Sequence, residues 1–144
     1  MAVNGFNTGR DVTLDITLAD GSLLRPSIRT KFSSKQITAS LESKGADGVN
    51  RFGEIPGGWE GMFDFDRADP AVDDYFANAE ANYYAGIIPQ PLTITETITE
   101  ISGSTSQYRY TGVVLKFDDA GNKGGDAKIE QKVSFKASKR LKVA

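Results

Sequence analysis

A mainly β domain of the α+β kind is predicted, with two packed antiparallel sheets (a sandwich or barrel) and one flanking helix near residues 70–85. Three features carry that expectation. Apolar and polar residues alternate with period two over much of the chain, Gly, Pro, Asn and Ser clusters interrupt the alternation, and a single stretch switches to helical spacing. The 144 residues suit one domain. A chain of this size buries roughly 68–70% of the surface its unfolded form exposes, enough to fold without staples.

From Asp11 to Ala19 the alternation is strict, with Val12, Leu14, Ile16 and Leu18 on one face and Asp11, Thr13, Asp15 and Thr17 on the other. That is a strand with one face buried. Asp20-Gly21 suits a turn with positive φ and leads into a short segment at 22–25. Pro26 has no amide to give a ladder and marks an edge or a strand end. Ile28 to Glu42 reads as a second extended region carrying Phe32, Ile37, Ala39 and Leu41, and a bulge or bend is expected where Lys31-Phe32-Ser33-Ser34-Lys35 breaks the pattern. Residues 43–58 hold Gly45, Gly48, Gly53, Pro56, Gly57 and Gly58 among scattered charges, and predict a long loop. Loops beyond about 12–15 residues are usually functional or disordered.

Trp59 to Arg67 regains strand character, with Trp59, Phe63 and Phe65 on one parity and Glu60, Asp64 and Asp66 on the other. Asp69 to Gly86 is the helix: Asp69 can cap it, Pro70 fits its first position, Asp73 and Asp74 sit at the positive end of its dipole, and Gly86 stops it. Val72, Phe76, Ala79 and Tyr83 share one face and are expected to pack on a sheet. After Pro89 and Pro91 the chain is all strand. Leu92–Ile101 places Leu92, Ile94 and Ile98 opposite four Thr, and a loop at 102–106 leads to a return strand, Gln107–Phe117. There Tyr108 and Tyr110 are expected opposite Val113, Leu115 and Phe117. A Gly-rich loop at 118–126 precedes the last strand, with Ile129, Val133, Phe135 and Ala137 inward and Lys128, Lys132 and Lys136 outward.

Composition argues against chemistry. The chain has no Cys and no His, so disulfides, thiolate sites, the commonest general base and the commonest neutral metal ligand are all missing. Net charge is −2, which gives no footprint for binding nucleic acid. The opening Met-Ala-Val-Asn-Gly lacks the basic and apolar blocks of a secretion signal, and no apolar run approaches the ~20 residues of a membrane span. A soluble protein made in a cytoplasm is expected.

The remaining motifs reduce to punctuation. Gly121-Asn122-Lys123-Gly124-Gly125 lacks the spacing and following helix of a phosphate cradle and reads as a turn. Asp64, Asp66, Asp69, Asp73 and Asp74 cluster near the helix start, but a calcium loop begun at Asp64 would put Asp69 at its sixth position and Tyr75 at its twelfth. Dipole compensation and capping explain them, so no catalytic, cofactor-binding or metal-binding residue is assigned and no cofactor is expected. Charge is segregated: residues 60–80 carry seven acidic side chains against Arg67, and residues 123–144 carry seven basic ones against Asp126 and Glu130. Unlike patches on one surface favour contact between copies, closing a ring or extending a filament.

Four segments in order resemble the tail tube proteins of tailed phages: Phe6 to Leu14, Trp59 to Phe65 with its following Asp-Pro helix start, Tyr108 to Leu115, and Gln131 to Ser138. The resemblance implies two packed sheets with a flanking helix, in subunits that join as rings of six and stack into a hollow tube. Type VI secretion tubes and phage-tail-like bacteriocin tubes share that architecture. It implies a non-enzymatic virion protein, partnered by its own copies and by sheath or other tail proteins, with DNA only in transit and no membrane. Residues 43–58, too long and Gly-rich to be only a connector, are expected to be an assembly element, mobile in the free subunit and ordered by a neighbour in the tube. The alternative reading is a monomeric β-sandwich module that grips a carbohydrate or peptide through Trp59 and that same segment.

Overall fold

The computed structural model describes residues 4–25 and 28–144. Pro26 and the opening Met-Ala-Val, for which expectations were given above, lie outside the described residues. A single 3-10 turn at Gly9–Asp11 leads into β1 (Val12–Thr17), followed by β2 (Leu23–Leu24), β3 (Ile28–Lys44), β4 (Asn50–Asp66), α1 (Ala71–Tyr84), β5 (Leu92–Thr99), β6 (Thr105–Asp119), β7 (Glu130–Ala137) and β8 (Lys139–Lys142). All strand pairs are antiparallel, in the order β2-β1-β5-β6-β7-β4-β3, with β8 also on β6. The mainly β class with one helix is therefore as expected. The two sheets are two halves of one eight-stranded sheet that does not close into a barrel.

The halves meet in β6. Its first part pairs with β5 and β8, its second with β7, and Gly112 lies between them at φ +64, a conformation that costs a side chain but not glycine. Leu92 faces Val113 and Ile94 faces Tyr110, so β6 spends one residue more than β5 across this step. That bulge corrects the expected parity. Tyr110 and Val113, predicted on opposite faces, are both fully buried, because an inserted residue flips the alternation beyond it. The core joins both halves, Leu14, Ile16, Leu92 and Ile94 from one and Phe63, Phe65, Val133 and Phe135 from the other.

The long loop expected at 43–58 is not a loop. β3 and β4 pair continuously from Ile28↔Asp66 to Lys44↔Asn50, and only Gly45 to Val49 turn, closed by Gly45 N–H to Val49 O at 3.0 Å. Six Gly and Pro residues depress strand propensity, but cross-strand backbone bonds override it. Pro56 is tolerated because β7 pairs with β4 only from Trp59 onward, which leaves Pro56 on a free edge beside the bulge at Ile37/Thr38. The other irregularity lies at Arg29/Lys31, just before the segment Lys31–Lys35 where a bend was expected.

The helix starts near its expected position. Asp69 Oδ1 accepts from Ala71 N–H at 3.1 Å, although Pro70 is the flanking residue and not the first helical one. Gly86 ends the helix: Gly86 N–H reaches Tyr83 O and Ile87 N–H reaches Asn82 O, the two bonds of a Schellman cap. The expected packing face is only half right. Val72 is buried and Phe76 stacks on Phe117 at 4.7 Å, but Ala79 is exposed and Tyr83 is 68% exposed, because the helix leaves the sheet after its second turn.

Candidate assembly surfaces

Sequence candidates for chemistry are dispersed by the fold. Asp64 and Asp66 belong to β4, Asp66 accepting from Lys128 at 3.4 Å. Asp69 caps α1, and Asp73 accepts from Arg67 at 2.7 Å and from Gln131 at 3.0 Å. Desolvation pushes the Asp73 carboxyl up, but those bonds and the charges of Arg67 and Lys123 outweigh it and leave it below the usual range. Among the described residues no group of three or more acidic side chains could hold a metal ion. Gly121 N–H donates to Asp119 Oδ1 at 2.8 Å and Ala127 N–H to Gly124 O at 3.3 Å, so the Gly-rich loop is a turn, as its composition indicated.

The opposed charge runs face each other within one chain. Lys132 of β7 lies in register between Asp64 of β4 and Asp119 of β6, and Lys136 lies beside Glu60, which also pairs with Lys35 at 3.1 Å. Segregated in sequence, the charges are interleaved on one sheet face. Opposite charges therefore stand in neighbouring register positions within one subunit, beside their place on its surface.

Trp59 is equally internal. Its ring meets Tyr110 edge-on at 6.2 Å, and the Arg140 guanidinium covers it at 4.9 Å while stacking on Tyr108 at 3.7 Å. Arg140 also donates from Nε to the Tyr110 hydroxyl at 3.1 Å and from Nη2 to the buried Glu96 at 3.3 Å. The Tyr110 hydroxyl shares a further hydrogen bond with Ser34 at 2.9 Å. This cluster ties β8 to β3, β4, β5 and β6. It uses up the aromatic face that a carbohydrate would need, and counts against the binding-module alternative.

What the fold leaves uncovered is apolar. Beyond Trp59 the β3–β4 hairpin extends past the sheet with Leu41, Val49, Phe52 and Ile55 exposed, and the helix end presents Tyr83, Tyr84, Ile87 and Ile88. The outer edge of β3 pairs with no described strand along its length. Sequence reading placed Ile37, Ala39 and Leu41 in an extended region but missed Val49, Phe52 and Ile55, because the Gly and Pro residues around them read as a loop. It missed the helix end because it took the whole stripe for core. Among the described residues, no helix is long and apolar enough to cross a membrane.

By sequence, no family profile and no curated protein matches the chain. By structure, it is similar over 100% of its length to 95% of the anti-feeding prophage (AFP) tube terminating cap, at a TM-score of 0.65 and 10% identity. It is similar over 91% of its length to 93% of the PVC sheath/tube terminator of an extracellular contractile injection system, at 0.66 and 8% identity. The SPP1 tail tube protein matches at 0.59 and 16% identity, over 94% of this chain and 78% of that one. The chain has the tail-tube fold. At such identities the likeness is one of backbone arrangement, and it agrees with the resemblance read from the four segments of sequence. In the tail-tube fold described here the helix and the β3–β4 hairpin are the two parts that leave the sheet, and both carry uncovered apolar side chains.

Proposed function

We propose that the chain is a non-enzymatic structural subunit, a single tail-tube-like domain that assembles with its own copies into stacked hexameric rings. The tube would be a virion tail component, put together in the host cytoplasm and passing DNA through its lumen. Sheath or other tail proteins would surround it and close its ends, with no membrane, metal or cofactor involved. The observation that carries this reading is the match of 91–100% of the chain to tube and tube-terminator subunits. The unpaired β3 edge supports it, since a long open edge invites pairing with another chain.

A second reading has its own support. Two of the matched structures, at TM-scores of 0.65 and 0.66, are a tube terminating cap and a sheath/tube terminator, so a ring that ends a tube is the second reading. Sedimentation and negative-stain imaging of the purified chain separate the possibilities. Long tubes support the repeating subunit, and single closed rings support the terminator. A species that stays at 15.6 kDa at every concentration rejects both.

A further inference from the structure

We infer that the cleft between the two halves of the sheet, at the start of β3, binds a phosphate group, carried by the free ion or by a small monoester. The inference concerns the single subunit and does not rest on the tube reading. The cleft holds about 850 Å³, within the range of small-ligand pockets and well beyond the size of a phosphate alone. Arg10, Arg29, Lys31, Phe32, Asp64 and Glu96 are among the residues that line it.

Local structure brings three cations to this place. The capping box at Thr8, whose N–H donates to Asp11 Oδ2 at 2.8 Å, closes the 3-10 turn and sets Arg10 on one wall. On the other wall, the irregularity in β3 places Arg29 opposite Phe65 and Lys31 opposite Asp64. Two residues apart, they would share a face in a regular strand, and here the extra residue puts them on either side of it. Every residue from Arg29 to Ser33 lines the cleft, so it runs along the β3 edge, where no described strand pairs. Such an edge presents unpaired N–H groups as further donors.

Charge and hydrogen bonding define the ligand. Among the described residues, Arg10, Arg29 and Lys31 pair with no carboxylate. Arg29 is half-buried and donates only from Nη2, to Val12 O at 2.6 Å and Gly9 O at 3.4 Å. Those bonds fix the guanidinium plane and leave Nε and Nη1 with no described acceptor. A guanidinium so held can take an oxyanion through two parallel bonds. Of the two lining acids, Glu96 is paired with Arg140 at 3.3 Å, so the three cations face Asp64 alone. The local excess is positive although the whole chain carries −2, and it favours a dianion over the singly charged diester of a nucleic-acid backbone. Asp64 Oδ1 is buried with no hydrogen-bond partner, so a hydroxyl on the body of a monoester would supply the donor it lacks.

Calorimetric titration of the purified chain with inorganic phosphate and with glycerol phosphate, at constant ionic strength in chloride, tests the site. Binding in the millimolar range or tighter is expected, and Arg10→Gln combined with Lys31→Gln should weaken it at least tenfold. Both side chains are exposed, and the thermal melt of the double variant without phosphate checks that the fold is kept. Arg10→Gln alone should weaken binding in the same direction if the pair does not fold. Lys142→Gln, on β8 and outside the cleft, removes one charge from the chain and should bind as the native protein does. A monoester that binds tenfold more tightly than the free ion supports the site with its body on Asp64, and equal affinities support it as a site for phosphate itself. Failure of both probes to bind, undiminished binding in the folded double variant, or an equal loss in Lys142→Gln overturns the inference.

Discussion

Tyr110 has no exposed surface, and its ring stands between Phe32, Trp59 and Phe135 while its hydroxyl meets Ser34 and Arg140. Burial raises the phenol above its usual 10.0, with the Ser34 bond opposing and the Glu96 charge adding to it. The folded state then holds this proton more tightly than the unfolded state. The stability it supplies is whole below about pH 10 and is lost as pH rises through the folded value. Urea midpoints measured from pH 9 to 12 should fall in the native chain and fall less in Tyr110→Phe. At pH 7 that variant should cost about 1–2 kcal/mol, since Arg140 and Ser34 lose their partner. Gly61 illustrates a constraint of another kind. A Cβ there would meet the Ser33 carbonyl oxygen of β3 and, at 2.7 Å, the Phe135 ring, which stacks on Phe32 at 5.9 Å, so Gly61→Val should lower the melting temperature by forcing β3 and the rings apart.

The helix divides into an anchored and a free half, and substitutions should divide with it. Phe76 is half-buried against Phe117, so Phe76→Ala should cost about 2 kcal/mol, less than the 3–5 typical of a fully buried Phe. Tyr84→Ser should change folding stability by no more than about 0.5 kcal/mol, as exposed positions do. Thermal melts of the two variants test the division, and equal losses would show that the end is packed after all. The hairpin is separable for the same reason. Replacing residues 38–57 with an Asn-Gly turn removes the part of β4 that β7 does not pair and should leave a folded protein that makes no tubes. Normal tube formation by the shortened chain would remove the hairpin from the assembly.

For the molecule as a whole, interleaving of the two charge runs changes what charge reversal should do. Lys132→Glu would line up carboxylates with Asp64, which is 6% exposed, and with Asp119 across three neighbouring strands. The expected result is a loss of about 2 kcal/mol in the free subunit, whatever its effect on tubes. An unchanged melt with slowed assembly would restore these charges to the contact between copies. Asp73 contributes in the opposite pH direction to Tyr110. Its lowered carboxyl supplies stability that is present above the unfolded value near 4 and is lost as pH falls through the folded one.

Period two in β1, β5 and β7, the helix start at Asp69-Pro70 and its stop at Gly86 were legible in the sequence, because each depends on neighbours within a few residues. So was the scarcity of groups for catalysis, since the chain has neither Cys nor His. Three features were decided by tertiary structure alone. The Gly-rich segment 43–58 is mostly strand because its amides and carbonyls bond to β3, a partner that local propensity cannot anticipate. Tyr110 and Val113 share the core because one inserted residue at Gly112 flips the alternation, and its effect shows only when β5 is laid alongside. Lys132 lies opposite Asp64 and Lys136 opposite Glu60 because β4 and β7 are neighbours, a pairing that joins residues some 70 positions apart. Periodicity states which face of an element is apolar. Only the packed fold states what covers it, and at the hairpin and the helix end the chain itself leaves that face bare.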